Sequence, residues 1–256
     1  EGQTLKLTGT NYFLGADWEP IGTLKDGCTD AGNGVNMLPF SGIIDGLHDD
    51  GTVAQITSGI LGKPLLGYAR RATVKNVIIY GTKIQGYGLV DNYVVDYGET
   101  GVYTNDPVKN RTIDIENVTI KSGSRILNSG FIGGFASGVN TVNIRNCTIE
   151  ANVIIGDPET GFWGDLGDTA YGYGFISEDF NHRDNIGSFA GAFNGTITNC
   201  VSYATVYGRK NVGGLVGMKG QSMGSCDILN SSFQGTVIAT GDKVGGIVGA
   251  GYISGS

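Results

Sequence analysis

Five times along this chain an aliphatic residue is followed by one variable residue, an asparagine and a small or β-branched residue. The copies are Val74-Lys75-Asn76-Val77, Ile115-Glu116-Asn117-Val118, Ile144-Arg145-Asn146-Cys147, Ile197-Thr198-Asn199-Cys200 and Ile228-Leu229-Asn230-Ser231. Alternating apolar and polar residues follow each copy, then glycine or another small residue, as in Ser232-Phe233-Gln234-Gly235-Thr236-Val237. Period-two alternation marks a half-buried strand, and no stretch carries a convincing helical period. A unit this short cannot bury its own apolar face, so it must stack on copies of itself. The expected fold class is all-β: a parallel β-helix, or solenoid, in which each strand pairs with its counterpart one coil away.

Stacking gives the asparagine a physical reason. Asn tolerates left-handed backbone at a corner, and its amide can bond the amide of the Asn above and below. Asn76, Asn117, Asn146, Asn199 and Asn230 are therefore expected to form a structural ladder. Their spacings are 41, 29, 53 and 31 residues. The shorter values suggest a coil of about 25–30 residues, and the longer ones imply insertions. These fall near residues 92–111 and 157–185.

A second element recurs between the asparagines. It reads Ile132-Gly133-Gly134-Phe135-Ala136, Ile186-Gly187-Ser188-Phe189-Ala190, Val212-Gly213-Gly214-Leu215-Val216-Gly217 and Val244-Gly245-Gly246-Ile247-Val248-Gly249, with a weaker copy at Tyr87-Gly88-Leu89-Val90. These are short strands whose glycines mark close backbone passage. The chain holds 45 Gly and 5 Pro, but glycine is not at every third position, which excludes collagen. At 40% hydrophobic residues it has enough material for a core, which argues against disorder.

Residues 1–60 follow a different pattern and are expected to form an N-terminal cap and the first coils. Residues 61–256 then supply the regular coils of one continuous domain. The chain opens Glu1-Gly2-Gln3 and stops within a repeat, so it reads as a region of a larger protein, truncated C-terminally, with flanking regions of the same polypeptide as partners. A net charge of −7, with no basic cluster beyond Arg70-Arg71, makes nucleic acid and anionic membrane poor partners. No apolar run approaches the roughly 20 residues of a membrane-spanning helix.

Cys147 and Cys200 hold the same repeat position, so they should face each other on adjacent coils, either as free thiols serving as small core residues or as a disulfide. The cysteines form no C-x-x-C pair, and with only His48 and His182 there is no H-E-x-x-H zinc motif. No metal or cofactor is expected. Calcium could bind clustered aspartates, but no D-x-D-x-D-G run occurs.

Gly214-Leu215-Val216-Gly217 resembles the core of the GLUG motif, and Gly246-Ile247-Val248-Gly249 differs from it by Ile for Leu. Trp18-Glu19-Pro20-Ile21-Gly22 and Phe40-Ser41-Gly42-Ile43-Ile44-Asp45-Gly46 are similar to segments that often precede such repeats. The resemblance spans most of residues 12–256. It implies a right-handed β-helix and a secreted or surface-attached bacterial polypeptide, as in adhesin-like proteins and the non-catalytic regions of immunoglobulin A-cleaving zinc proteases. It carries over no catalytic residues, and it reads His48 as part of a structural turn.

Function on a stacked scaffold usually lives in its insertions. The longer one holds Phe162, Trp163, Tyr171 and Tyr173 with Asp165 and Asp168; the shorter holds Tyr97 and Tyr103 with several carboxylates. The two lie in neighbouring parts of the ladder and are expected near each other. Aromatic faces beside carboxylates suit a sugar surface, and the same rings anchor protein interfaces. The plainer explanation is that a long loop packs a small core of its own. The favoured function is a non-catalytic, extracellular binding or display region that engages a host glycan or a host protein such as an immunoglobulin. One alternative is a polysaccharide-degrading β-helix enzyme, a lyase or a glycoside hydrolase using paired carboxylates such as Asp165/Asp168 or Glu178/Asp179. The other is a passive stalk.

Overall fold

The computed structural model describes residues 3–15, 17–24, 37–84, 88–93, 113–132, 142–156, 184–219 and 225–251. Among them there is no helix, and the strands pair almost wholly in parallel. Thr4–Lys6, Ile43–Asp45, Thr73–Ile84, Ile113–Ile120, Val142–Arg145, Gly195–Thr198 and Cys226–Leu229 lie side by side, in that order, within a 16-stranded sheet.

Register is kept residue for residue. Leu5, Ile44, Val74, Ile115, Ile144, Ile197 and Ile228 form one column, and Val74, Ile115, Ile144 and Ile197 are fully buried. A slip of one residue would carry the neighbouring charges into the core, so burial specifies the pairing. Beyond the asparagine corner, Ile56, Ile79, Ile120 and Ile149 form a second buried column, and Ile84, Ile126, Ile155 and Val206 form a third.

The outward column beside the first strand reads Lys6, Asp45, Lys75, Glu116, Arg145, with alternating sign. Lys75 Nζ lies 3.5 Å from Asp45, and Arg145 lies 3.5 Å from Glu116 and 3.8 Å from Asp114. Each such exposed pair contributes only about 0.2–1 kcal/mol. A shift by one repeat would set like charges together, so the column also discriminates against misregister.

The glycine-rich segments form two three-stranded parallel sheets. One holds Asp184–Gly187, Lys210–Gly213 and Val244–Gly245; the other holds Ala190–Phe193, Val216–Lys219 and Val248–Ala250. The turns between them stack Leu89, Phe131, Phe189, Leu215 and Ile247 through successive N–H to carbonyl bonds, and the Phe131 and Phe189 rings sit 5.1 Å apart. Glycine precedes every member of this column except Phe189, which follows Ser188; a Cβ on Gly130 would lie 2.1 Å from the Ser188 carbonyl oxygen, and one on Gly214 would lie 2.0 Å from that of Gly246. One alignment expected from sequence is corrected here. Phe131 shares the column of Phe189, and Ile132 bridges Ala190 rather than Ile186. Adjacent Gly-rich stretches permit both alignments; the chosen one places Phe131 at 0% exposure.

Residues 4–14 already belong to the stack, since Thr4–Lys6 and Asn11–Leu14 pair in register with Ile43–Asp45 and Ala54–Gly62. Trp18 anchors the next segment by donating Nε1–H to the Pro64 carbonyl at 3.1 Å, and Ile21 bridges Leu66. Thr23–Leu24 and Met37–Leu38 form the one antiparallel strand pair among the described residues.

Candidate functional site

The expected binding residues Phe162, Trp163, Asp165, Asp168, Tyr171, Tyr173, Tyr97 and Tyr103 lie outside the described residues, as do Glu178 and Asp179. The roots of their two segments are described, and they shorten both. Val90–Tyr93 and Asp184–Gly187 are strands, so residues 92–93 and 184–185 belong to the scaffold rather than to insertions.

The longer segment leaves after Ile154–Ile155, which stays paired to Arg125–Ile126 on one side and Thr205–Gly208 on the other. Gly156 turns the chain away at φ +86; a Cβ there would sit 1.9 Å from the Tyr207 carbonyl oxygen. The chain returns at Asp184, whose carboxylate accepts two bonds from the Arg209 guanidinium, at 2.8 Å from Nε and 2.7 Å from Nη2. The Asp184 side chain is 7% exposed, and its hydrogen bonds and charge hold the guanidinium more firmly protonated than usual. Asn185 follows at φ 58, and Asn211, at φ 54, donates its amide to Asn185 Oδ1 at 2.7 Å.

This second asparagine stack, continued by Lys243 at φ 58, was not anticipated from sequence. Its signal is nonetheless visible in Asn185-Ile186-Gly187, Asn211-Val212-Gly213 and Lys243-Val244-Gly245. The shorter segment leaves from the other end of a glycine-rich strand, between Val90–Tyr93 and Ile113–Ile120. The two roots therefore stand at different corners of the repeat, and the segments expected near each other lie outside the described residues.

The five ladder asparagines have φ between 48 and 55. Asn117 Nδ2 donates to Asn76 Oδ1 at 2.9 Å, and Asn199 Nδ2 donates to Asn146 Oδ1 at 3.3 Å. One repeat before Asn76 the column holds Gly46, where a Cβ would strike the Asn76 carbonyl oxygen at 2.3 Å. Asp45 takes over the acceptor role and receives the Asn76 amide at 2.8 Å. Burial alone would raise the Asp45 carboxyl, but the Asn76 and Leu47 hydrogen bonds and the Lys75 charge outweigh it and leave its pKa below the usual range.

Next to the ladder runs a column of thiols and a hydroxyl. Cys147 donates to the Arg145 carbonyl at 3.1 Å, Cys200 to that of Thr198 at 3.2 Å, and Ser231 to that of Leu229 at 2.8 Å. Cys200 Sγ accepts the Cys147 N–H at 3.4 Å, and Ser231 Oγ accepts the Cys200 N–H at 3.0 Å. Cys147, Cys200 and Cys226 are free thiols. Burial pushes the Cys147 thiol well above its ordinary pKa, and burial with the Asp227 charge pushes Cys226 up to about 11.

His48 sits in an exposed turn between Leu47 and Val53. Its Nδ1 lies 2.9 Å from Thr52 Oγ1, which donates to Asp50 at 2.7 Å. The Thr52 hydroxyl is thus tied to the Asp50 carboxylate within the turn. Among the described residues no three His, Cys, Asp or Glu side chains converge as a metal site would. No family model matches the chain, and no curated protein or solved structure matches it.

Proposed function

We propose that the chain is a right-handed parallel β-helix of the GLUG type. In this reading it acts as a non-catalytic binding or display region of an extracellular bacterial surface protein. The partner is a host glycan or a host protein such as an immunoglobulin. Contact is made mainly through the aromatic and acidic segment around Phe162, Trp163, Asp165, Asp168, Tyr171 and Tyr173.

The observation that carries this reading is the unbroken register around that segment. Ile154–Ile155 before it and Asp184–Gly187 after it both pair in parallel with neighbouring repeats, and the Asp184–Arg209 pair and the Asn185–Asn211 bond pin the return. The aromatic and acidic segment joins two strands that belong to this frame, and rigid frames carrying variable segments are the usual site of recognition. The GLUG resemblance supports the extracellular setting.

The test is binding of the purified chain to glycan and host-protein arrays, beside Trp163→Ala and a deletion of residues 157–183. Saturable binding lost in both variants is expected. If the intact chain binds nothing and the deletion alters stability alone, the binding assignment fails in favour of a passive stalk.

A further inference from the structure

One side of the stack differs in chemistry from the charged column beside it. Next to the buried column Ile56, Ile79, Ile120, Ile149 and Ser202, the outward positions hold Thr57, Tyr80, Lys121, Glu150 and Tyr203, one per coil. The outward column two residues earlier reads Gln55, Ile78, Thr119, Thr148 and Val201, without a charge. Each of these coils has a described coil on both sides, so what they expose is the flank of the stack. Tyr203 is 40% exposed there. The Tyr80 ring lies against the Gly123 turn, where a Cβ would come within 3.5 Å of it, and Glu150 accepts the Ser122 N–H at 2.8 Å. One turn thus holds both side chains in place.

Dimensions narrow the choice of occupant. Paired strands lie about 4.7–4.9 Å apart, so the strip from Thr57 to Tyr203 is about 20 Å long and about 7 Å wide. That is far below the roughly 800 Å² per partner of a stable protein interface, and it suits a single extended chain. A peptide strand advances about 3.3 Å per residue and would fall out of step with the coils. An extended β-1,4-linked pyranose chain advances by nearly one coil per sugar. Its C–H faces pack on aromatic rings, and its hydroxyls bond to side chains such as Thr, Gln, Lys and Glu. We propose that this strip binds an uncharged, linear β-1,4-linked polysaccharide lying along the axis of the stack, with sugars stacked on Tyr80 and Tyr203.

Coil count sets the register. Tyr80 and Tyr203 stand three coils apart, about 14 Å, so the first and fourth of four consecutive sugars meet the two rings. The two sugars between them face Lys121 and Glu150. These opposite charges at adjacent positions leave the strip neutral, and a net charge of −7 on the chain disfavours a polyanion. Tyrosine supplies a large contact area at a small cost in conformational freedom. The strip is built from residues other than those assigned to recognition of host molecules, and the inference stands independently of that assignment.

Titration calorimetry of the intact chain with β-1,4-linked hexamers of glucose, mannose and xylose tests it, with maltohexaose as the α-linked control. At least one β-linked hexamer is expected to bind, roughly tenfold or more tighter than maltohexaose. Its affinity should step up between the trimer and the tetramer, the shortest chain that reaches both rings. Tyr80→Ala and Tyr203→Ala should each weaken binding roughly tenfold, whereas Tyr80→Phe and Tyr203→Phe should retain it, with every fold checked by circular dichroism. Trp163→Ala and a deletion of residues 157–183 should both leave hexamer binding intact, which separates this strip from the recognition segment. No binding of any β-linked hexamer, equal binding of maltohexaose, indifference to both alanine substitutions, or loss of hexamer binding in Trp163→Ala would overturn the proposal.

Discussion

Asn117 donates its side-chain amide to Asn76 at 2.9 Å across 41 residues of sequence, and both hold left-handed backbone, at φ 52 and 55. The same side chain thus stabilises a corner locally and joins two repeats. Asn117→Ala loses both contributions and is expected to cost about 1–2 kcal/mol. Asn117→Gly keeps the backbone preference and should cost about half as much. Urea unfolding of the pair separates corner from ladder; equal losses would show that the left-handed backbone contributes nothing.

Two glycines of the same motif should respond very differently. A methyl on Gly130 meets the Ser188 carbonyl oxygen at 2.1 Å with interior Ile149 and Ile120 close behind, so Gly130→Ala is expected to destabilise by about 2–3 kcal/mol. Gly246 has nothing within 4 Å of its added methyl among the described residues, and Gly246→Ala should stay within about 0.5 kcal/mol. Thermal melts compare the two, and equal shifts would contradict the buried position of Gly130.

Asp45 links stability to acid pH. Its folded pKa is depressed, so its contribution is fully present above the ordinary aspartate value and is lost as pH falls through the folded value. Below about pH 4 the intact chain should lose stability more steeply than Asp45→Asn, whose amide does not titrate. Denaturant midpoints from pH 2.5 to 6 measure this, and parallel curves would remove Asp45 from the ladder.

The thiols should separate by accessibility. Cys147 and Cys200 are 1% and 2% exposed, whereas Cys226 is half-buried. In folded protein Cys226 should be alkylated before either of the others, and all three should react after denaturation. Peptide mass mapping after timed labelling reads the order. Cys200→Ser should cost less than about 1 kcal/mol, because Ser231 makes the equivalent bonds one repeat later.

Much of the architecture was legible because stacking imposes a repeat on the sequence itself. Asn76, Asn117, Asn146, Asn199 and Asn230 occupy one corner, and a corner with left-handed backbone selects the same residue type each time. Cys147 and Cys200 were readable as neighbours for the same reason. The Asn185–Asn211 stack has an equally regular pattern but only three members, one of them Lys243, so its period is easily passed over. Asp45 was hidden because it reaches into the ladder from the adjacent column while Gly46 holds the ladder position.

By itself, the sequence determined what repeats: strands of period two, asparagine corners and glycine turns, since backbone conformation and burial act on residue types that can be read locally. Tertiary structure alone decided which of two Gly-rich alignments places Phe131 over Phe189, and from which corners the two long segments depart. Those outcomes depend on contacts between residues tens of positions apart. Steric approach and charge choose there among registers that the local pattern leaves equal.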